Sequence, residues 1–312
     1  MAVSDPGINL VLGPVILGII INTFVYGILF MQGITYYTSP RFKQDQPLIK
    51  GLVTWSLFLD TFHSCAIIWV IWEYCIEHFG DRAFLETTPW PYPTAPIFTT
   101  GASVPIQIYL AWRVKRLSNS WIIFGGITAL SVTSGVVAWI ASIRAVRLSN
   151  TKGFPALIPI VDTWLALGVL CDVSLTILLF IFLRKGRTGF SKTDNIITTI
   201  ILQSIETAAF SSLTSLLDLI TFTVIQKTNF HFIFSLLAGR MYTNTLLATL
   251  NSRDKLRADF LVDGVNTLTS PPQSHGVAVH VSVEHREDNG TELENYTKRN
   301  PKNGRDLETY YV

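Results

Sequence analysis

The chain has 312 residues, of which 49% are hydrophobic and only 15% are charged. Because about a quarter of the residues of an ordinary soluble domain are charged, this composition excludes a water-soluble globular domain. The formal net charge of +2 excludes the strong basic excess of a nucleic-acid-binding protein, and we expect no nucleic-acid partner.

Seven apolar runs along the chain are long enough to cross a bilayer as helices. A helix rises about 1.5 Å per residue, so about 20 apolar residues span the roughly 30 Å of hydrocarbon. The residues before the first run lack the basic segment of a cleaved signal peptide, and we interpret this run as a retained anchor. The predicted spans, in chain order, are residues 9–31, 48–74, 96–112, 121–146, 157–183, 195–220 and 230–250. The sequence therefore predicts an all-α fold, a polytopic seven-helix bundle over residues 1–257.

The orientation of this bundle is predicted from Lys and Arg in the connecting loops, which are enriched on the cytosolic side. The first, third and fifth loops and the start of the tail hold 13 of these residues, whereas the opposite side holds five. The N-terminus is thus predicted outside, and the C-terminal tail of residues 258–312 in the cytosol. This tail is polar, so we expect it to be disordered. Its two glycosylation sequons, at Asn289 and Asn295, should stay unmodified, and we expect the protein in the plasma membrane.

Ionisable residues in the middle of a span are costly in lipid, so each is a candidate functional residue with an expected partner. Four of them lie ten to twelve residues from the cytosolic end of their predicted span, near mid-depth: Asp60, Asp172, Glu206 and Arg240. We expect Arg240 to pair with one or two of the three carboxylates. His63 lies one helical turn beyond Asp60, on the same face.

Two uncharged residues complete the candidate site, because Gln107 and Asn244 can hydrogen-bond between helices. With the ionisable residues they form either a static polar core that fixes helix packing, or a ligand pocket or proton path. The sequence leaves both interpretations open. Glu73, Asp162 and Asp218 lie near the outer ends of their spans, where they are either interfacial or line an external vestibule.

The sequence lacks the patterns of catalytic and cofactor-binding residues. A retinal protein needs a lysine in the middle of its last helix, where this chain has Arg240. His63 and His231 lie at different depths, so we expect no metal site. The HExxH, GxSxG and P-loop motifs are absent, as are the Asp-Arg-Tyr and Asn-Pro-x-x-Tyr patterns of rhodopsin-like receptors. We therefore expect no enzyme activity, no catalytic residue and no cofactor.

Three segments resemble a known family: residues 60–81 (DTFHSCAIIWVIWEYCIEHFGD), 107–118 (QIYLAWRVKRLS) and 238–253 (AGRMYTNTLLATLNSR). They are similar to an uncharacterised family of seven-helix membrane proteins abundant in basidiomycete fungi. The last helix of that family ends in a Tyr-x-Asn-[Ser/Thr]-Leu-Leu-Ala-x-Leu-Asn-x-Arg run. The resemblance implies an outer N-terminus, seven helices and a variable cytosolic tail, without an established ligand. By this motif we interpret Asn251 and Arg253 as capping the helix end and anchoring it at anionic headgroups.

Three functions are compatible with the sequence. The first is a receptor-like or sensory protein that takes a small molecule from the outer face and transmits a shift to a cytosolic partner at the inner loops and tail. The second is a proton-coupled transporter that uses the ionisable residues as a relay, although no internal repeat of the kind that many carriers show is evident. The third is a structural protein whose polar cluster holds the helices together. Membrane lipids are the expected partner in every case.

Overall fold

The structure is a computed structural model that describes residues 8–81, 84, 87–148, 155–185, 209–225 and 228–269. These residues are almost entirely helical, and no β-strand occurs among them. The α-helices are α1 (Ile8–Thr38), α2 (Pro47–Trp72), α3 (Pro91–Ser118), α4 (Trp121–Leu148), α5 (Ile158–Lys185), α6 (described over Ala209–Val224) and α7 (His231–Thr269). A short 3-10 helix, Pro40–Gln44, precedes α2, and a π-helical turn, Glu73–Glu77, continues it.

The sequence explains where α3 ends and how the hydrogen bond that Pro105 removes from this helix is replaced. Asn119 ends α3 in the left-handed conformation (φ 53°) and donates its N–H to Lys115 O at 2.8 Å, a common way to close a helix. Within α3, Pro105 has no N–H, so the carbonyl of Gly101 one turn earlier lacks its helical donor. The indole of Trp55 on α2 donates to Gly101 O at 3.0 Å. A neighbouring helix thus satisfies the carbonyl that proline leaves free.

Four helical stretches are long and apolar enough to cross a membrane: Asn9–Thr38, Pro47–Glu77, Trp121–Leu148 and Pro155–Phe182. They correspond to four of the seven predicted spans. Most of their apolar surface faces outward, as the exposed fractions of Phe24 (71%), Phe58 (61%), Trp139 (51%) and Ile177 (52%) illustrate. Exposure of an apolar surface of this extent is unfavourable in water but not in lipid. The chain is therefore a membrane protein.

The remaining helices differ from these four in composition or length. α3 contains Pro96, Pro105 and two basic residues in its last turn, and α7 is also too polar over its length to meet the same criterion. α6, over its described residues, is shorter than a span requires. α1 continues to Thr38 and α7 to Thr269, both beyond their predicted bounds. The tail after 269, with its sequons, lies outside the described residues.

α7 packs along α1, α2 and α3. Close contacts require small residues: a Cβ on Gly18 of α1 would lie 3.2 Å from Ile233 Cα, and one on Gly239 would lie 3.2 Å from Thr99 Oγ1. The largest apolar cluster joins residues of α1 to α5 with four residues of α7, namely Tyr242, Leu246, Leu247 and Leu250. These four have at most 9% of their surface exposed. The middle of α7 is thus buried among helices.

Candidate functional site

A cavity of about 520 Å³, the main cavity, lies among one set of ends of all seven helices. Its walls include Val11 near the start of α1, Tyr74 after α2 and Ala145 near the end of α4. Successive helices therefore reach it with alternate ends, as in an up-and-down bundle. The basic residues of the first and third loops lie at the opposite ends of these helices. Small-molecule sites in proteins typically enclose about 300–1,000 Å³, so this cavity has the size of a ligand site.

The wall of the main cavity is mostly apolar and rich in aromatic rings. Tyr92 and Phe232 meet edge to face with centroids 4.6 Å apart, and Phe222 meets His231 in the same way at 5.1 Å. Trp164 of α5 also contributes to the wall. Apolar and aromatic walls with a few polar groups are typical of ligand sites.

Asp218 of α6 is the carboxylate in this wall, and only 4% of its surface is exposed. Its Oδ1 atom has no hydrogen-bond partner in the described part of the chain. His231 Nδ1 lies 3.9 Å from this oxygen, beyond hydrogen-bonding distance. Ser235, one turn of α7 further on, also lines the cavity and interacts with the carboxylate. The structure thus places Asp218 in the wall of a cavity.

A second cavity of about 40 Å³, the minor cavity, adjoins the main cavity. Four residues line both cavities: Trp164, Leu165, Asp218 and Ser235. The far wall of the minor cavity contains Gln107, Ser215 and Tyr242. A polar cavity of this volume accommodates one or two water molecules. The minor cavity thus connects Asp218 to the centre of the bundle.

The centre of the bundle contains a hydrogen-bonded cluster around Asp172 of α5, the Asp172 cluster. The carboxylate accepts from Tyr242 Oη at 2.6 Å and Ser215 Oγ at 3.0 Å on Oδ2, and from Gln107 Nε2 at 2.9 Å on Oδ1. Ser131 Oγ in turn donates to Gln107 Oε1 at 2.6 Å. Five helices, α3 to α7, each contribute one residue. Neutral donors therefore satisfy Asp172 without an arginine.

A second polar cluster surrounds Arg240 of α7, the Arg240 cluster. Its guanidinium donates to Asp60 Oδ1 of α2 at 2.5 Å, to His63 Nδ1 at 3.0 Å and to Asn22 Oδ1 of α1 at 2.9 Å. Arginine has only donors, so His63 must accept at Nδ1 and carry its proton on Nε2. Arg240 and Asp60 each have 2% of their surface exposed. The geometry of the guanidinium thus ties α7 to α1 and α2.

The structure brings together some of the predicted site residues and separates others. Arg240 pairs with Asp60, as the sequence predicts for one of the three carboxylates. Among the described side chains, no hydrogen bond joins Arg240 to Asp172, because the two residues belong to separate clusters. Asn244 is partly buried and belongs to neither, and its Oδ1 has no hydrogen-bond partner there. Glu206 lies outside the described residues.

Several residues of the two clusters have no counterpart in the sequence prediction: Asn22, Ser131, Ser215 and Tyr242. Asn22 carries a recognisable signal, since it is an amide in the middle of the first apolar run. Tyr242 also carries one, as the first residue of the Tyr-x-Asn motif. The serines carry none, because Ser occurs throughout the spans and usually bonds to the helix backbone. Only the fold selects those that point at Asp172.

The predicted capping role of Asn251 and Arg253 is wrong. α7 continues to Thr269, so neither residue caps a helix end. Asn251 Nδ2 donates to Gln32 O of α1 at 2.9 Å, and Arg253 donates to both carboxylate oxygens of Asp45 at 3.1 and 3.0 Å. Tyr36 Oη also donates to Asp45, at 3.1 Å. The two residues therefore connect α7 to α1 and to the first loop.

The π-helical turn after α2 aligns three side chains that sequence analysis does not connect. Glu73, Glu77 and His78 hold ligand-type atoms within 4.8 Å of one another, the spacing of a metal-binding group. In a regular α-helix, Glu73 and His78 would point in different directions, since five residues exceed one turn. Trp72 Nε1 donates to Glu77 Oε1 at 3.2 Å, and the His78 ring stacks on Phe84. Protein neighbours thus already account for these orientations.

Comparison with known proteins assigns part of the chain to a family. Residues 168–255, from α5 to α7, match a domain described as a family of unknown function (DUF6534). This range contains the 238–253 segment and both Asp172 and Arg240. No curated protein and no solved structure matches the chain. The chain is thus an integral membrane protein that contains a domain of unknown function.

Proposed function

We propose that the chain is a receptor-like membrane protein that crosses the membrane seven times and binds a small molecule in the main cavity. The observation that carries the proposal is the cavity itself, about 520 Å³ with a mostly apolar wall drawn from all seven helices. A ligand that touches every helix can bias the relative positions of all of them. We propose a binding role rather than catalysis.

We further propose that the main cavity faces the outside. The helix ends that surround it and the loops between them hold five Lys and Arg, whereas the opposite ends, their loops and the start of the tail hold 13. This asymmetry favours a cytosolic position for the opposite ends and an outer N-terminus. α3 and α7 then cross the membrane inside the ring of apolar helices. That position explains their polarity, because they are shielded from lipid by their neighbours.

The arrangement of the clusters favours a receptor over a proton relay. Asp218 lines both cavities, and the minor cavity reaches Gln107 and Tyr242 of the Asp172 cluster. A ligand at Asp218 is therefore in a position to alter hydrogen bonds that join five helices. A relay would need donors and acceptors in an unbroken line, but the described side chains of the Arg240 cluster share no hydrogen bond with those of the Asp172 cluster.

The basic ends of the helices are the proposed site of a cytosolic partner. Arg253 and Asp45 form a partly buried ion pair there, with 28% and 10% of their side chains exposed. A movement of α7 relative to α1 would change this pair first. The resemblance of the last helix to the seven-helix proteins of basidiomycete fungi favours a fungal plasma membrane as the setting.

Ligand binding to the purified full-length protein tests the proposal. A set of neutral apolar compounds of one to three rings should raise the melting temperature of the wild type by mass action. Ala145→Trp should abolish this stabilisation, because the indole projects into the main cavity and takes up volume that the ligand needs. Ile177→Trp is the matched control, since Ile177 is 52% exposed on the outer surface of α5, and it should retain the stabilisation. Equal stabilisation of Ala145→Trp, or proton flux through reconstituted wild-type protein, would contradict the proposal.

A further inference from the structure

The geometry of the main cavity points to a cationic ligand: we propose that an ammonium group on an apolar body pairs with Asp218. This inference rests on the proposed function and specifies its ligand. Three features of the main cavity favour such a ligand: the unsatisfied oxygen of Asp218, the aromatic wall and the sign of the charges around the cavity.

The carboxylate of Asp218 interacts with Ser235, but one of its two oxygens is left without the hydrogen-bond partner that buried acids ordinarily have. Its Oδ1 has no hydrogen-bond partner among the described residues, and the residue is 4% exposed. Asp172, at the other side of the minor cavity, accepts three hydrogen bonds. A buried polar group without a partner is costly. An ammonium donor in the main cavity would satisfy the free oxygen of Asp218. Asp172 needs no such donor, because protein groups already satisfy it.

The rings around Asp218 favour a cation over a neutral donor. Phe222 lies one helical turn after Asp218 on α6, and His231 and Phe232 begin α7 on the facing side. All three line the main cavity, together with Tyr92 and Trp164. The faces of aromatic rings attract ammonium groups, and this attraction strengthens where water is excluded. A carboxylate beside aromatic rings is therefore a favourable environment for an amine.

The charges of the cavity wall disfavour an anion. The described residues of the wall include Asp218 and no Lys or Arg. His231 is the sole basic group among them, and its Nδ1 is 3.9 Å from the same carboxylate. An anionic ligand would therefore meet the carboxylate of Asp218, with His231 as the one basic group of the described wall to offset the repulsion. The wall selects for positive charge as well as for an apolar body.

Matched ligand pairs test the inference on the purified full-length protein. The probes are phenyl, naphthyl and anthracenyl groups carrying an ethylamine or an ethanol chain, so that each pair differs in charge and not in size. We expect at least one amine to bind the wild type at least ~10-fold more tightly than its alcohol, and naphthaleneacetic acid to bind more weakly than either naphthyl probe. Asp218→Asn should reduce the ratio of the two dissociation constants towards one.

Asp162→Asn is the matched control for this substitution. Asp162 lies near the same end of the bundle but does not line the main cavity, and it accepts a hydrogen bond from Thr223 Oγ1 at 2.8 Å. Its replacement should leave the amine preference unchanged. A preference that survives in Asp218→Asn would overturn the inference.

The wild-type comparison stands even where the Asp218 variant does not fold. Equal affinities for amine and alcohol, both lost in Ala145→Trp, would refute the cationic ligand and leave the proposed cavity function intact. Failure of every amine and every alcohol to bind would overturn both. A preference for the amine that persists in Ala145→Trp would place the cation elsewhere and refute the role of Asp218.

Discussion

Replacement of Arg240 by glutamine should destabilise the bundle strongly. The guanidinium is 2% exposed and donates to Asp60, His63 and Asn22 on two other helices. In Arg240→Gln the carboxylate of Asp60, also 2% exposed, loses its cation and stays buried. Removal of one partner of a buried ion pair typically costs about 3–5 kcal/mol. We expect a loss of this size in the free energy of unfolding, measured by denaturation of the purified protein in mixed micelles.

The double variant Asp60→Asn/Arg240→Gln separates the ion pair from the packing of the side chains. Both charges are absent, so no uncompensated charge remains, and we expect the double variant to be at least about 2 kcal/mol more stable than Arg240→Gln. Arg253→Gln is a control on the same helix, because its pair with Asp45 is partly exposed and should contribute only about 1 kcal/mol. If the loss of stability in the double variant equalled the sum of the losses in Asp60→Asn and Arg240→Gln, the two residues would not be coupled and the reasoning would be refuted.

Three further predictions concern other parts of the molecule. Gly18→Ala should destabilise the protein by about 1–3 kcal/mol, because its Cβ would press on the backbone of α7. In the control Gly13→Ala the Cβ meets open space, so this variant should be neutral or stabilising. Thermal melting of the two variants checks the contrast. Tyr242→Phe should cost about 1.5–3 kcal/mol by removing a hydrogen bond to a carboxylate, and a change within about 0.5 kcal/mol in the same assay would contradict this. Asn289 and Asn295 should carry no glycan when the protein is expressed in eukaryotic cells, and a mass shift on glycosidase treatment would reverse the proposed orientation.

The apolar runs predict the helices well, because lipid imposes the same length on every helix that crosses it. Four runs meet the requirement for a span in the structure. The sequence also predicts that Arg240 pairs with a carboxylate, since a buried cation needs one. Depth along a helix can be counted in residues, and this is why Asp60, Asp172 and Arg240 are correctly recognised as buried polar groups of the bundle.

The separation of these residues into two clusters could not be predicted in the same way. Depth does not specify the direction in which a side chain points around the bundle axis, and that direction depends on packing. Asp172 and Arg240 therefore have different partners although their depths are similar. The main cavity could not be predicted from the sequence either, because its wall consists of residues without a recognisable pattern, drawn from the ends of the helices. The extension of α7 beyond Arg257 also depends on local preference, since the residues after the apolar run include good helix formers such as Leu, Ala, Lys and Arg.

The most direct test of the account is the reaction of a cysteine in the main cavity with a membrane-impermeant thiol reagent added to intact cells. Ala145→Cys would be placed in a chain with Cys65 and Cys75 replaced by alanine, because these are the less buried of the three native thiols. We expect labelling of Ala145→Cys from outside, and labelling of Lys115→Cys at the basic end only after permeabilisation. Labelling of Lys115→Cys in intact cells, with Ala145→Cys protected until permeabilisation, would contradict it.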